Sequence, residues 1–245
     1  MTRIGVHADR GRARLTLTGG AIAARLIRAD ETGARIGLVA TEALLLGGDH
    51  IDIEIDVGPG CRLELVETAG TVAYDANGVP SSWTVRIRVG AGGVLLWAGE
   101  PFVVSHGANV LRRTSIDLAD GAVACLRETL VLGRSGETGG AIRSRMSVRR
   151  SERALLEEDL DLTDLQARQL PGILGSARVI DSAVLLGMRA PILPGLSQGQ
   201  RFDLDGPGSV ARSLGSTLVA SPIGAVSTQW SEAVLNQAVS AATTS

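Results

Sequence analysis

Residues 51–57 read Ile-Asp-Ile-Glu-Ile-Asp-Val and alternate without a break. Ile51, Ile53, Ile55 and Val57 take one side; Asp52, Glu54 and Asp56 take the other. Successive side chains of a strand face opposite sides, so the stretch predicts a half-buried β-strand with one apolar and one acidic face. Gly58-Pro59-Gly60 then turns the chain, since Gly tolerates turn angles and Pro has no N–H to give a sheet. Arg62 to Val66 runs back, and the whole reads as a hairpin.

The unit strand, Gly-rich turn, strand recurs. Leu15–Thr18 turns at Gly19-Gly20 into Ile22–Ile27. Trp83–Val89 turns at Gly90–Gly93 into Val94–Trp97, and Ser115–Leu118 turns at Asp120-Gly121 into Ala122–Leu132. The last three turns lie about 30 residues apart, a rhythm of stacked strands and not of βαβ units. The predicted class is mainly β: stacked antiparallel strand–turn–strand units, sandwich-like or solenoid-like, in one domain spanning 1–245. Aromatic residues are only 2% of the chain, so Val, Leu, Ile and Ala must fill the core. Five arginines within 143–153 precede an acidic run, Glu157 to Asp164, predicting a solvated edge strand or hairpin, or else a partner-binding surface. A further strand pair is expected around Ala177–Leu186, and loop over Pro191–Gly208. Ser227-Thr228 can cap a short C-terminal helix through about Val239, with Trp230, Val234 and Leu235 on one face and 241–245 as a disordered tail.

Several function classes fall away. All 24 basic residues are arginine. A P-loop NTPase or a Schiff-base enzyme needs a lysine, so both are excluded. The formal net charge of −2 gives no reason to expect a nucleic-acid or anionic-membrane partner. No apolar run is long enough to cross a bilayer and the start of the chain lacks a signal-peptide pattern, so a cytoplasmic protein is expected. Cys61 and Cys125 read as reduced, buried thiols. Gly195-Leu196-Ser197-Gln198-Gly199 matches the nucleophile-elbow pattern, but prolines precede it and every histidine (His7, His50, His106) lies upstream, against the elbow's order. His50 between Asp49 and Asp52 reads as a polar strand entrance, not a metal site.

Six segments occur in order along the chain: Leu45-Leu46-Gly47-Gly48-Asp49, Val57-Gly58-Pro59-Gly60, Glu67-Thr68-Ala69-Gly70-Thr71-Val72-Ala73-Tyr74, Leu95-Leu96-Trp97 with Glu100-Pro101-Phe102, His106-Gly107-Ala108 and Leu132-Gly133-Arg134-Ser135-Gly136-Glu137. In their order and spacing they resemble the urease accessory protein family UreD. The resemblance covers roughly residues 15–187, with an echo around Trp230. The chain departs from the pattern in lacking a basic residue just before Tyr74, in Thr138-Gly139-Gly140 after the Gly-Glu motif, and in Val219-Ala220-Ser221.

The resemblance implies a mostly β protein that is not an enzyme. It implies a scaffold that, with UreF and UreG, binds apo-urease and assists nickel delivery, as a dimer of heterodimers with UreF and with nickel only in transit. Gly47, Gly48, Asp49, Thr68, Tyr74, Gly133, Arg134 and Glu137 carry its motifs. Asp49, Glu67 and Glu137 are the candidates for a nickel path, because oxygen ligands hold a transit ion weakly. Arg134 is expected to pair with one of them and hold it in the charged form. The competing reading of each is an acid that caps a turn or bonds backbone N–H groups. Two alternatives stay open: a carboxylate-dependent β-sandwich hydrolase using Asp49 and Glu137, and a β-solenoid interaction protein unrelated to urease. A mean hydropathy of +0.20 predicts apolar surface for a partner within 15–43 and 172–196.

Overall fold

The strand at 51–57 does not fold back on the segment that follows it. In the computed structural model, which describes residues 1–193, 196 and 200–243 (side chains through 238), the two lie in different sheets. In chain order, β1 (Thr2–Asp9) and β2 (Arg12–Thr18) belong to the first sheet, and β3 (Ile22–Ala29) and β4 (Gly33–Ala40) to the second. The chain then alternates: β5 (His50–Val57) first, β6 (Arg62–Glu67) second, the short β7 (Thr71–Ala73), β8 (Ser81–Val89) first, β9 (Val94–Ala98) second. The short β10 (Phe102–Val104) leads to β11 (Asn109–Leu118) in the first sheet and β12 (Val123–Leu132) in the second. The hairpin β13 (Ala141–Arg150) and β14 (Arg153–Asp161) closes the first sheet; β15 (Val179–Leu186), β16 (Arg201–Asp203) and β17 (Gly208–Gly215) close the second. Helix α1 (Ile223–Thr243) ends the described chain.

Mainly β structure with solenoid-like stacking and a C-terminal helix is what the sequence predicts; antiparallel pairing across the turns is not what forms. β5 pairs parallel with β8, β8 with β11 and β11 with β13, while β6 pairs parallel with β9 and β9 with β12. The rhythm of about 30 residues is therefore the rise from one rung to the next. Residues 58–61 link the sheets, and four residues reach about 13 Å, enough to span the ~10 Å between packed sheets. The turns become stacked corners. Gly58 N–H donates to the Val6 carbonyl and Gly90 N–H to the Val57 carbonyl, both at 2.7 Å, and Gly92 N–H donates to Asp120 O at 3.1 Å. A Cβ on Gly90 would sit 2.7 Å from the nitrogen of Pro59, so this corner stacks only without a side chain.

Parallel register puts like on like. Ile4, Ile55, Ile87, Ile116 and Val148 form one inward row across five strands, each almost wholly buried. Ala34, Leu63, Leu95 and Ala124 face them from the second sheet. On the outer face Asp56, Arg88, Asp117 and Arg149 alternate in sign along a row, so the acidic face of the sequence is neutralised rung by rung. β14 is an edge strand, and Arg143 and Arg145 both bind Asp159, as expected of the charged 143–164 stretch.

β15 is buried at all eight positions. Its inner face meets the core between the sheets, and its outer face is covered by α1, whose Ile223, Val226, Trp230 and Val234 pack on Leu96, Cys125 and Leu185. The helix starts earlier than the sequence predicts. Ser221 caps it by accepting the Ile223 N–H (3.2 Å) and donates to buried Asp181 (2.6 Å), which Arg127 holds bidentately. Thr228, expected as cap, bonds back to the Gly224 carbonyl one turn earlier. α1 runs through Thr243, and 244–245 lie outside the described residues. The expected loop at 191–208 contains β16, and the elbow-like Gly195–Gly199, Leu196 apart, also lies outside them. Of the apolar surface expected within 15–43 and 172–196, Leu26, Ile27, Ile173 and Ile192 are exposed, whereas 179–186 is core. Cys61 and Cys125 are free, buried thiols. Among the described residues no helix is long and apolar enough to cross a membrane.

Candidate functional site

On β6, Leu63 and Leu65 point inward, and two-residue periodicity gives Glu67 the same side. A carboxylate thus stands where the strand's core pattern ends. Its Oε1 accepts the Trp97 indole N–H (2.9 Å) and its Oε2 the Glu100 backbone N–H (3.0 Å). Burial pushes the Glu67 carboxyl up to about 7, against the downward pull of those two donors and of the Arg112 guanidinium. Glu67 lines two adjoining spaces. One is a cleft of about 190 Å³ open to solvent beside Glu42, Thr71 and Tyr74. The other is a cavity of about 30 Å³ between the sheets; Thr71 and Trp83 line both spaces.

That inner cavity is polar for a core. Arg112 enters it from β11, pairs with Glu128 of β12 at 2.6 Å and lies 5.7 Å from the Phe102 ring centre. Burial works against the Arg112 charge, but Glu128 beside it more than restores it. Arg112 Nε is buried without a hydrogen-bond partner. The cavity has room for about one water. Glu128 also lines a third small space, which holds Glu158 paired with Arg212. Glu67, Arg112, Glu128, Glu158 and Arg212 all occupy inward positions of their strands. Sequence reasoning singled out only Glu67 among them. The signal for the rest is their parity: Arg112 lies two residues from Val110, Glu128 two from Leu126, and Arg212 two from Val210.

The other expected residues lie elsewhere. Asp49 Oδ2 accepts the Leu46 N–H (2.9 Å) and closes the Leu46–Asp49 turn, with Gly48 N–H bonded to Pro80 O. Thr68 donates through its hydroxyl to Leu38 O, and half-exposed Tyr74 borders the cleft with its N–H on Leu45 O. Glu137 joins two loops: Oε2 accepts the backbone N–H groups of His106 (3.0 Å) and Arg134 (2.9 Å), and Oε1 pairs with the Arg134 guanidinium at 2.6 Å. These bonds, Arg134's side chain first, hold the Glu137 carboxyl down at about 2. Gly133 sits at φ +84° with its Cα facing Gly139 N; a Cβ there would lie 2.6 Å from that nitrogen. The three candidate acids thus sit on separate turns and strand ends. Among the described residues no three His, Cys, Asp or Glu side chains come together to hold a metal ion.

Comparison with known proteins decides the family. The family model described as UreD urease accessory protein matches residues 2–243. The chain belongs to the UreD family. The match extends past residues 15–187 at both ends and takes in α1. The chain is 52% identical over 180 residues to urease accessory protein UreD 1 of Streptomyces griseus, covering 74% of this chain and 69% of the relative. It is 39% identical over 166 residues to UreD of Frankia casuarinae, covering 63% of this chain and 52% of the relative. UreD 2 of Saccharopolyspora erythraea is 30% identical over 236 residues, 87% of this chain and 83% of that one. These relatives are named as accessory proteins, not as catalysts. In the stretch that follows Glu137, the carbonyls of Thr138, Gly139 and Gly140 all accept from Arg168, and a Cβ on Gly140 would lie 2.2 Å from Ala108 O.

Proposed function

We propose that this chain acts in urease maturation as a non-catalytic scaffold of the cytoplasm. With UreF-like and UreG-like partners, as a dimer of heterodimers with the former, it binds apo-urease and assists nickel delivery to the enzyme's active site. The family match across the chain supports this reading most strongly. The chain's own part in handling nickel is assigned to Glu67. A group that passes an ion on must bind it weakly, and oxygen ligands suit that better than a thiolate cage. A carboxyl with its midpoint near 7 is shared between proton and metal at neutral pH, so uptake releases a proton and re-protonation releases the ion. Glu67 also stands where the open cleft meets the interior space, as a transfer point requires. Asp49 closes the Leu46–Asp49 turn away from both of those spaces and Glu137 ties the 106 and 134 loops together, and we assign them to holding turns.

The experiment uses a urease-positive strain in which this gene is deleted and replaced by variants. Deletion should abolish urease activity while apo-urease is still made; unchanged activity sinks the proposal. Glu67→Ala should assemble with its partners in a pull-down yet activate urease poorly. Asp49→Ala and Glu137→Ala should instead lose assembly and activation together. If Glu67→Ala activates urease normally, the nickel role of this residue is wrong and the scaffold role stands alone.

A further inference from the structure

The segment between β14 and β15 carries two arginines that stand apart from the rest. Arg168 is 5% exposed and donates only to carbonyls, those of Thr138, Gly139 and Gly140. Arg178 donates only to the carbonyls of Leu132, Gly133 and Arg134. Arg112, Arg127, Arg201 and Arg212 are also largely enclosed, and each of them pairs with a carboxylate. Among the described residues no carboxylate lies within ion-pair distance of Arg168 or Arg178. Between them opens a cavity of about 530 Å³, larger than the Glu67 cleft. The one acid on its wall, Glu137, is already bound by Arg134 and two backbone N–H groups. Carbonyl oxygens satisfy hydrogen bonds but leave the net charge, so the cavity stays electropositive. The same segment exposes Leu165, Leu170 and Ile173.

We propose that this cavity is a docking site for a partner-protein segment in which an acidic side chain is flanked by leucine-like residues. The carboxylate enters towards Arg178, whose Nη1 makes no hydrogen bond among the described residues. The apolar neighbours cover Leu170 and Ile173. The inference stands apart from the nickel role assigned to Glu67. The test uses the full chain and two fluorescent peptides, acetyl-Leu-Leu-Asp-Glu-Leu-amide and its Asn-Gln counterpart, with binding read by anisotropy. Ser176 lines the cavity and is exposed, and among the described residues its side chain makes no hydrogen bond, so Ser176→Asp adds a negative charge without removing such a bond, and Ser176→Asn is its neutral control. The acidic peptide should bind the unmodified chain and the Asn variant, bind at least tenfold more weakly to Ser176→Asp, and weaken several-fold with Leu170→Ser. Its affinity should fall as salt is raised. Equal binding of the two peptides, no binding of either, or an unchanged affinity in Ser176→Asp overturns the proposal. Displacement by acetate at peptide-like concentrations would assign the cavity to free anions and also overturn it. If both Ser176 variants fail to fold, Leu170→Ser and the peptide pair decide. Because no arm reads urease activity, failure here leaves the maturation role untouched.

Discussion

Replacing Glu67 with glutamine should shift stability in favour of the variant as pH rises. In the fold the carboxyl titrates near 7, against an ordinary value of 4.5. A raised carboxyl binds more protons folded than unfolded between these values, so stability is fullest below about 4.5, falls as pH rises to about 7, and stays lowered above it. The shift is worth about 3 kcal/mol at pH 8, at about 1.4 kcal/mol per pH unit. Glutamine matches the protonated acid in shape. Either oxygen of the protonated acid can still accept an N–H, whereas the NH2 of glutamine cannot, so the variant lacks one of the two hydrogen bonds at every pH. The stability of Glu67→Gln relative to the parent should therefore rise with pH. Between pH 5 and pH 8 it should gain about 2–3 kcal/mol on the parent, about 4–12 °C in melting temperature for a domain of this size. Paired urea melts at pH 5, 6, 7 and 8 measure this, and the other titrating groups cancel in the difference. A gap that does not change with pH, or one that moves against the variant as pH rises, would show that Glu67 is not held against its charge. The same variant should activate urease poorly, which separates stability from function at one residue.

Three further outcomes follow from the packing. Asp181→Asn leaves Arg127 without its buried partner and removes the acceptor of Ser221, so unfolding free energy should fall by about 3–5 kcal/mol in denaturant melts. Trp230→Ala empties the largest side chain between α1 and the second sheet, should cost about 3–5 kcal/mol, and should raise hydrogen exchange in α1 before that in β8 or β11. Glu137→Gln should loosen the 133–140 loop, seen as faster proteolysis there above about pH 4.5; because the Glu137 carboxyl is held low, the difference from the parent should fade as pH drops towards 2.

What the sequence could and could not reveal follows from the range of each signal. Alternation at 51–57 and 83–89 is local, and both strands form with the inward residues expected. Pairing direction is not local. A Gly-Pro-Gly turn can close a hairpin or step between sheets, and nothing within residues 51–66 separates the two. The repeat of about 30 residues does, because a strand at 51–57 then finds its match at 83–89 and not at 62–66. The helix start differs from the sequence expectation for a similar reason. Ser221 looks no better than Ser227 as a cap until Asp181, forty residues away, is seen to hold it.

The inward parity of each strand also explains why one expected acid differs from the other two. Asp49 precedes its strand and Glu137 lies in a loop, so each can meet backbone N–H groups at no cost to the core. Glu67 extends the series Leu63, Leu65, and Arg112, Glu128, Glu158 and Arg212 break their own apolar series in the same way. A charged group on an inward position costs stability even when paired, and apolar residues of similar size would pack there at least as well. The stacked isoleucine row supplies enough burial to tolerate the loss, but it gives no reason for it. Packing alone favours apolar residues at these inward positions, so the charges between the sheets are the part of the core that stability does not explain.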